Sequence, residues 1–289
     1  MVFMVTTVTD TYRTTPNTTF TIDISQYTGA CDFTSLKNDG VKQIYLRAYG
    51  SSHSGNGDTL FEQFIPYAKP LFPLGAYYYG MPQSSALSDA KVQADQFIAK
   101  MKGGFSGGLG DLMPFLDVED NSALVASGQQ STLSLSVTDL LTWIDNFRNY
   151  FEDTTGVRLG LYTSGYFVHD QRNNFNEGFT TQGNILRDMP VWMAGYTKYG
   201  YTSPPQVGGF KNLLAWQYSE DGVFAGAPNN KVDLSLAYAP MTSQKALYVE
   251  EVVNNTSTAT NVVQGANGVT VTTTTVTTTS HIEKVKIYQ

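Results

Sequence analysis

Cysteine is nearly absent, with Cys31 alone in 289 residues. A single cysteine excludes an intramolecular disulfide framework and any multi-cysteine metal site. Histidine is scarce as well. His53, His169 and His281 are scattered and match no zinc-ligand spacing, so each reads as a surface or hydrogen-bonded side chain, and no metal or cofactor is implied. Charge is sparse at 15% of residues, and its balance is acidic, with a net charge of −7 and a pI near 4.9. A general nucleic-acid binder would be basic, so no nucleic-acid partner is expected. No stretch approaches the ~18 consecutive apolar residues of a membrane-spanning helix, so no membrane partner is expected either. The opening "MVFMVTTVTD" lacks a basic leading region and its apolar run is too short for a secretory signal. A target outside the cytoplasm would need another delivery route.

Hydrophobic residues make up 41% of the chain, enough for a sizeable core, and they include 18 Tyr and 16 Phe. The charge is unevenly placed. Asp10 offsets Arg13 in residues 1–19, and Lys245, Lys284 and Lys286 offset Glu250, Glu251 and Glu283 in residues 241–289. The whole net charge of −7 therefore belongs to residues 20–240. Three parts follow: a Thr-rich N-terminal extension (1–19), an acidic module (20–240) and a Thr-rich tail (241–289).

The acidic module alternates strand and helix patterns. "FTIDIS" (20–25), "QIYLRAYG" (43–50), "FPLGAYYYG" (72–80), "LMPFLDVE" (112–119) and "RLGLYTSG" (158–165) read as buried strands. Between them, Ala90, Ala94, Phe97, Ile98 and Met101 share one helical face, as do Leu140, Ile144, Phe147 and Phe151. "DFTSLKNDG" is a short helix stopped by Gly40, and "TLFEQFIPYAKP" is another, interrupted by Pro66. Such alternation predicts right-handed βαβ units and a parallel sheet. "MPVWMAGY" (189–196), "LLAWQYSE" (213–220) and "KVDLSLAY" (231–238) add three strands with no helical pattern between them. Eight strands with helices mainly in the first part predict an irregular α/β barrel, whose site should collect at the C-terminal strand ends.

In the tail, Asn267-Gly268 between β-prone runs is a hairpin signal, and "HIEKVKIYQ" reads as one more strand. The tail is therefore expected to be a small Thr-rich β appendix, to which residues 1–19 could add a strand. The alternative is a partly disordered tail.

The stretch "PFLDVEDN" poses the functional question. Residues two apart on a strand point the same way, so Asp117 and Glu119 should share a face at the end of the fourth strand while Val118 faces the helices. Asp23 in "TIDIS" and Asp233 in "KVDLS" occupy comparable places, and strands one and eight are neighbours in a closed barrel. Four acids would then meet at one mouth. Their burial and mutual repulsion should raise at least one pKa, as a general acid near neutral pH requires. Paired carboxyl groups are the equipment of glycoside hydrolysis. Tyr77, Tyr79, Tyr162, Trp192 and Tyr196, all at strand ends, would suit a sugar cleft.

In their order along the chain, "TIDISQYTG", "GVKQIYLRAYG", "LGAYYYG", "PFLDVE", "LYTSGYF", "VWMAGY", "AWQYSEDG" and "VDLS" resemble the strand motifs of glycoside hydrolase family 25, the Chalaropsis-type lysozymes. The resemblance covers about residues 20–240. It implies a TIM-like (β/α)5β3 barrel cleaving the β-1,4 bond between N-acetylmuramic acid and N-acetylglucosamine in bacterial peptidoglycan. It implies Glu119 as general acid, with Asp117 orienting the substrate's N-acetyl group or stabilising the intermediate, and Asp23 and Asp233 shaping the site. Arg47, Tyr77, Tyr79, Tyr162, Trp192, Tyr196 and Gln217 are the expected substrate contacts. Tyr78 stands where the family's Gly-x-Tyr-His-Phe segment has His, so one substrate hydrogen bond is expected to differ.

Other readings fit less well. The chitinase-type pattern Asp-x-Asp-x-Glu would need an acid at Phe115. "GGFSGGLGD" (103–111) lacks the Lys-Ser/Thr ending of a phosphate loop and precedes a strand. The one Gly-x-Ser-x-Gly match, at Gly104–Gly108, lies in that same stretch and precedes a strand instead of leading from a strand into a helix, so it does not read as a nucleophile elbow. A catalytically silent glycan-binding or virion structural component on the same barrel is the competing class, against which all four acids argue. The Thr-rich ends suggest a phage protein, either a lysis enzyme or a particle component, with the tail serving attachment or oligomerisation to other virion proteins.

Overall fold

The computed structural model describes residues 11–50, 57–82, 87–119, 122–124, 130–169, 185–205, 209–264 and 270–289. The chain divides into two compact units, residues 1–244 and 245–289.

In the first unit, β1 (Thr19–Ile24), β2 (Gln43–Tyr49), β3 (Leu74–Tyr79) and β4 (Phe115–Asp117) are joined through α1 (Phe33–Asn38), α2 (Phe61–Ala68) and α3 (Leu87–Gly104). A small antiparallel pair, β5 (Ser122–Leu124) and β6 (Gln130–Ser134), precedes α4 (Val137–Thr155). Then come β7 (Gly160–Ser164), the short α5 (Gly165–His169), β8 (Pro190–Ala194), β9 (Asn212–Phe224) and β10 (Ala227–Ala237). Eight strands close a barrel in the order β1-β10-β9-β8-β7-β4-β3-β2. The expected α/β barrel with its β appendix is the fold observed. Neither α5 nor the β5–β6 pair was expected.

Local chemistry sets the helix ends. The Asp32 carboxylate accepts from the Thr34 and Ser35 amides at the start of α1, and Ser136 accepts from the Asp139 amide at the start of α4. Gly156 ends α4 at φ 67°, a left-handed conformation that favours glycine. Pro66 lies inside α2 without ending it.

The barrel carries two apolar layers. Outside the strands, Leu46, Tyr78, Leu116 and Leu161 meet Phe97, Trp143, Phe147 and Phe151 of α3 and α4. Inside, Tyr45, Phe115 and Trp192 fill the lumen, with ring centroids 5.0–5.5 Å apart. Room for them comes from Gly75 and Gly160, where a Cβ would stand 2.3 Å from Tyr45 and 2.4 Å from Phe115. This plug closes the lumen below and leaves a mouth at one end.

Strands β1 to β4 and β7 to β9 pair in parallel, whereas β10 runs antiparallel to both β9 and β1. The N-terminal half of β10 therefore reaches the same end as the C-termini of the others. Asp233 arrives at the mouth that way, in direct register with Asp23. Of the N-terminal extension, residues 11–14 form a 3-10 turn whose Tyr12 packs on Trp216 and Tyr218, and Thr19 already belongs to β1, so residues 11–19 add no strand to the tail.

The second unit is one hairpin of β11 (Ala246–Gln264) and β12 (Thr270–Tyr288), in unbroken register from Ala246↔Tyr288 to Gln264↔Thr270. "HIEKVKIYQ" continues β12 rather than forming a separate strand. Asn267-Gly268 lies outside the described residues. Among the described residues, no helix is long and apolar enough to cross a membrane.

Candidate active site

The mouth holds a cavity of about 200 Å³. Asp117, the last residue of β4, is buried, and Glu119, two residues on, is exposed; both line the cavity. The backbone there is gripped from both sides. Gly80 donates to the Asp117 carbonyl at 2.7 Å, and Val118 donates to the Tyr162 carbonyl at 2.9 Å. Val118 itself is fully buried on the helix side.

Gln217 organises the wall opposite. Its amide nitrogen donates to Asp23 at 3.0 Å, and its oxygen accepts from the hydroxyls of Tyr162 (2.7 Å) and Tyr196 (3.0 Å). With every partner complementary, the amide has one satisfied orientation. The Trp192 indole donates to Ser235 at 3.0 Å and forms part of the lining. Tyr77 is also on the wall.

The electrostatics follow from burial. Five acids line the cavity: Asp23, Asp117, Glu119, Glu220 and Asp233. Burial pushes Asp117 well above the ordinary carboxyl range. The charge and hydrogen bond of Glu119 push the same way, as does the charge of Asp23, while Arg47 pulls back. Asp233 is raised well above it too, by burial first and then by the charge and hydrogen bond of Asp23. Asp23 rises to about 6 through burial, with hydrogen bonds from Gln217 and Asp233 pulling it back down and the charge of Glu119 adding to the rise. Two carboxyl pairs result, Asp117–Glu119 and Asp23–Asp233, and in each, burial and the neighbouring carboxyl favour the protonated form of a buried member. One oxygen of Asp117, Oδ1, is buried with no hydrogen-bond partner among the described residues.

The comparisons with known proteins bear on this geometry. Residues 22–227 match the profile of Glycosyl hydrolases family 25. The chain belongs to that family. Lysozyme M1 of Streptomyces globisporus is 26% identical over 206 residues, and N,O-diacetylmuramidase of Arthroderma benhamiae is 26% identical over 204; each match covers 71% of this chain. The chain spans 63% of the former's length and 78% of the latter's. Among solved structures, the Clostridium perfringens spore cortex lytic enzyme SleM is 29% identical with a TM-score of 0.67, covering 95% of this chain and 98% of its own. The Streptomyces coelicolor lysozyme, 23% identical with a TM-score of 0.57, shares the fold over 77% of this chain and 93% of its own.

Placement of the expected family 25 site residues is uneven. Asp23, Asp117, Glu119, Asp233, Tyr77, Tyr162, Trp192, Tyr196 and Gln217 line one cavity. Arg47 and Tyr79 do not. Arg47 is buried in an ion pair with Asp58, 2.9 Å away, beneath the ring of Tyr27. It acts on the mouth only through its field. Tyr79 packs on Gly50, where a Cβ would meet it at 2.4 Å. Tyr78, expected to alter a substrate hydrogen bond, points the other way: it is buried against Phe97 and Phe147, and its hydroxyl donates to Gln96. Glu220 was missed. Simple alternation from Gln217 would turn Glu220 outward, but a bulge sets Ser219 opposite Leu234 and Gln217 opposite Ser235, so one extra residue flips the parity.

Proposed function

We propose that this chain is a peptidoglycan N-acetylmuramidase, hydrolysing the β-1,4 bond between N-acetylmuramic acid and N-acetylglucosamine. The observation that carries the reading is the carboxyl pair at the end of β4, one member buried and the other exposed, in a family 25 barrel. Glu119, the accessible member, would deliver the pair's proton to the leaving glycosidic oxygen. Asp117 would turn its unpartnered Oδ1 to the substrate's N-acetyl group, placing that group against the anomeric carbon or stabilising the positive charge that develops there. Asp23 and Asp233 would keep further negative charge near that centre. Tyr77, Tyr162, Trp192, Tyr196 and Gln217 would hold the sugar. No step calls for a metal or cofactor.

The test is digestion of purified peptidoglycan by wild type and Glu119→Gln side by side, with mass spectrometry of the fragments. New reducing-end muramic acid from the wild type, absent with the variant, is the expected result. No release by the wild type on several wall types would move the reading to a silent glycan-binding or structural component.

For the biological setting we propose phage lysis or wall penetration from a virion, a reading supported by the Thr-rich ends. The hairpin unit would attach the enzyme to a particle or to further copies of itself. Sedimentation of the full chain against residues 1–244 tests this; identical monomers with identical wall binding would remove the attachment role.

A further inference from the structure

The cavity is lined by five acids and, among the described residues, by no lysine or arginine. A buried cation nevertheless stands behind that wall. Arg47 lies on β2, between β1, which carries Asp23, and β3, which carries Tyr77. It is in direct register with Tyr77, part of the cavity lining. Tyr79, two residues further along β3, is in register with Asp117 of β4. One strand therefore separates the arginine from the acid pair. A long cation buried beside an acid-lined mouth calls for a reason.

The arginine sits on a built support. Gly57, at φ 71°, packs so closely on the end of β2 that a Cβ there would stand 2.9 Å from the Ala48 carbonyl oxygen. That approach lets the Asp58 amide donate to the same carbonyl at 3.1 Å. The Asp58 carboxylate then accepts from Arg47 Nε at 3.0 Å, from the Gln26 amide at 2.9 Å and from the Leu60 amide at 3.0 Å. Two of these three donors are backbone, so the carboxylate is fixed without help from Arg47. Tyr27 covers the guanidinium, whose centre lies 4.7 Å from the ring centre. Arg47 and Asp58 are almost wholly removed from water, at 7% and 2% exposure. Arg47 Nη2, though 2.9 Å from Asp58, is buried with no hydrogen-bond partner among the described residues. A cation so placed is poorly screened by solvent, and its field reaches across β3.

We propose that Arg47 and Asp58 form an electrostatic control on the acid pair: Arg47 loosens the proton of the Asp117–Glu119 pair, and Asp58 limits how far it does so. Arg47 acts through the carboxyls and not on the sugar, which makes it a positioning residue. The other titratable groups facing the pair act differently. Asp23 of β1, Glu220 of β9 and Asp233 of β10 are acids, whose charges tighten the proton. Tyr77, Tyr162 and Tyr196 are phenols that burial keeps neutral. Without an opposing cation, acids alone would hold the proton too tightly for transfer to a leaving group. The proposal rests on the muramidase reading for the use of that proton, but not for the field.

Opposite changes to one ion pair separate a field from a structural prop. Arg47→Met removes the positive charge and should move the alkaline limb of the kcat/KM pH profile up by about one unit. Asp58→Asn removes the opposing charge and should move the limb down by about half a unit. Arg47→Lys keeps the charge and should leave the limb in place even where the melting temperature falls. If Arg47→Met does not fold, Arg47→Met/Asp58→Asn leaves no buried charge unpaired, and its limb should still move up because Arg47 is the group that acts on Asp117. A second arm needs no cleavage. Carboxyl 13C NMR follows Asp117 and Glu119 through a pH titration of each full-length variant, with the Glu119 signal assigned by its loss in Glu119→Gln. The midpoints should move up and down with the same signs as the limb. A wild type that cleaves nothing sinks the muramidase reading alone, since the midpoints still report the field. Midpoints that stay put, or that move the same way in Arg47→Met and Asp58→Asn, overturn the proposal. So does a limb that stays fixed while the midpoints move.

Discussion

Threonine has opposite roles in the two units. Thr21 and Thr163 of the barrel are fully buried among packed strands, whereas Thr256, Thr258 and Thr278 of the hairpin are exposed. The barrel sheet closes on itself, so no strand edge is left free, and its two faces are covered by a lumen of aromatic rings and a layer of helices. The hairpin has two strands of 19 residues each and exposes Val252, Val276 and Ile282 at 61–65%. Its cohesion comes from cross-strand neighbours such as Glu250↔Lys284, Val252↔Ile282 and the Thr256–Thr278 hydroxyl contact. Such pairs contribute roughly 0.2–1 kcal/mol each, and an isolated two-stranded ribbon is marginal in water. Stability in the first unit is thus collective, and in the second it is a sum of small local contributions.

The sharpest way to test that contrast is inside the mouth. Glu119→Gln should lower hydrolysis by about 1,000-fold or more, about 4 kcal/mol in the barrier, while circular dichroism shows both units folded; retained turnover would remove Glu119 from the acid role.

Next comes pH. Asp23 is raised from 3.8 to about 6, and Asp117 and Asp233 are also raised well above the ordinary carboxyl range. The folded barrel therefore keeps protons that the unfolded chain releases above about pH 4. A raised carboxyl pKa makes stability fall as pH rises, from the ordinary carboxyl range up through the folded value. Denaturant melts from pH 5 to 7.5 should show the decline in the full chain and equally in residues 1–244, and Asp23→Asn/Asp233→Asn should flatten it. A flat or rising profile in the parent chain would contradict the buried-acid account.

Smaller effects follow. Gly75→Ala forces a Cβ to within 2.3 Å of Tyr45 and should destabilise the barrel by about 1–3 kcal/mol, read from the unfolding midpoint. Val252→Thr on the hairpin should fall within about 0.5 kcal/mol. Deleting 245–289 should leave the melting temperature of the barrel unchanged. A clear drop would show that the hairpin contributes to the barrel's stability and would dissolve the contrast.

Much of this was legible in the sequence because the barrel strands are dense apolar runs and the helices keep a 3.6-residue period. The acids were legible because strand alternation fixes which way Asp117 points. The same alternation would have turned Tyr78 outward between Tyr77 and Tyr79, and following the family motif instead produced the error. Arg47 was misplaced because its partner, Asp58, stands in a connection whose contacts no periodicity encodes. Glu220 was hidden by the bulge in β9, a shift of one residue that reverses inside and outside.

The glycine-lined lumen has an optical consequence. All three tryptophans, Trp143, Trp192 and Trp216, are buried, so the emission of the folded chain should be blue. Of the three, Trp192 alone borders the cavity, with its indole tied to Ser235 and its ring set against Tyr162. The barrel thus contains a built-in reporter: a sugar entering the mouth should change the quantum yield of one indole while the other two supply a constant background.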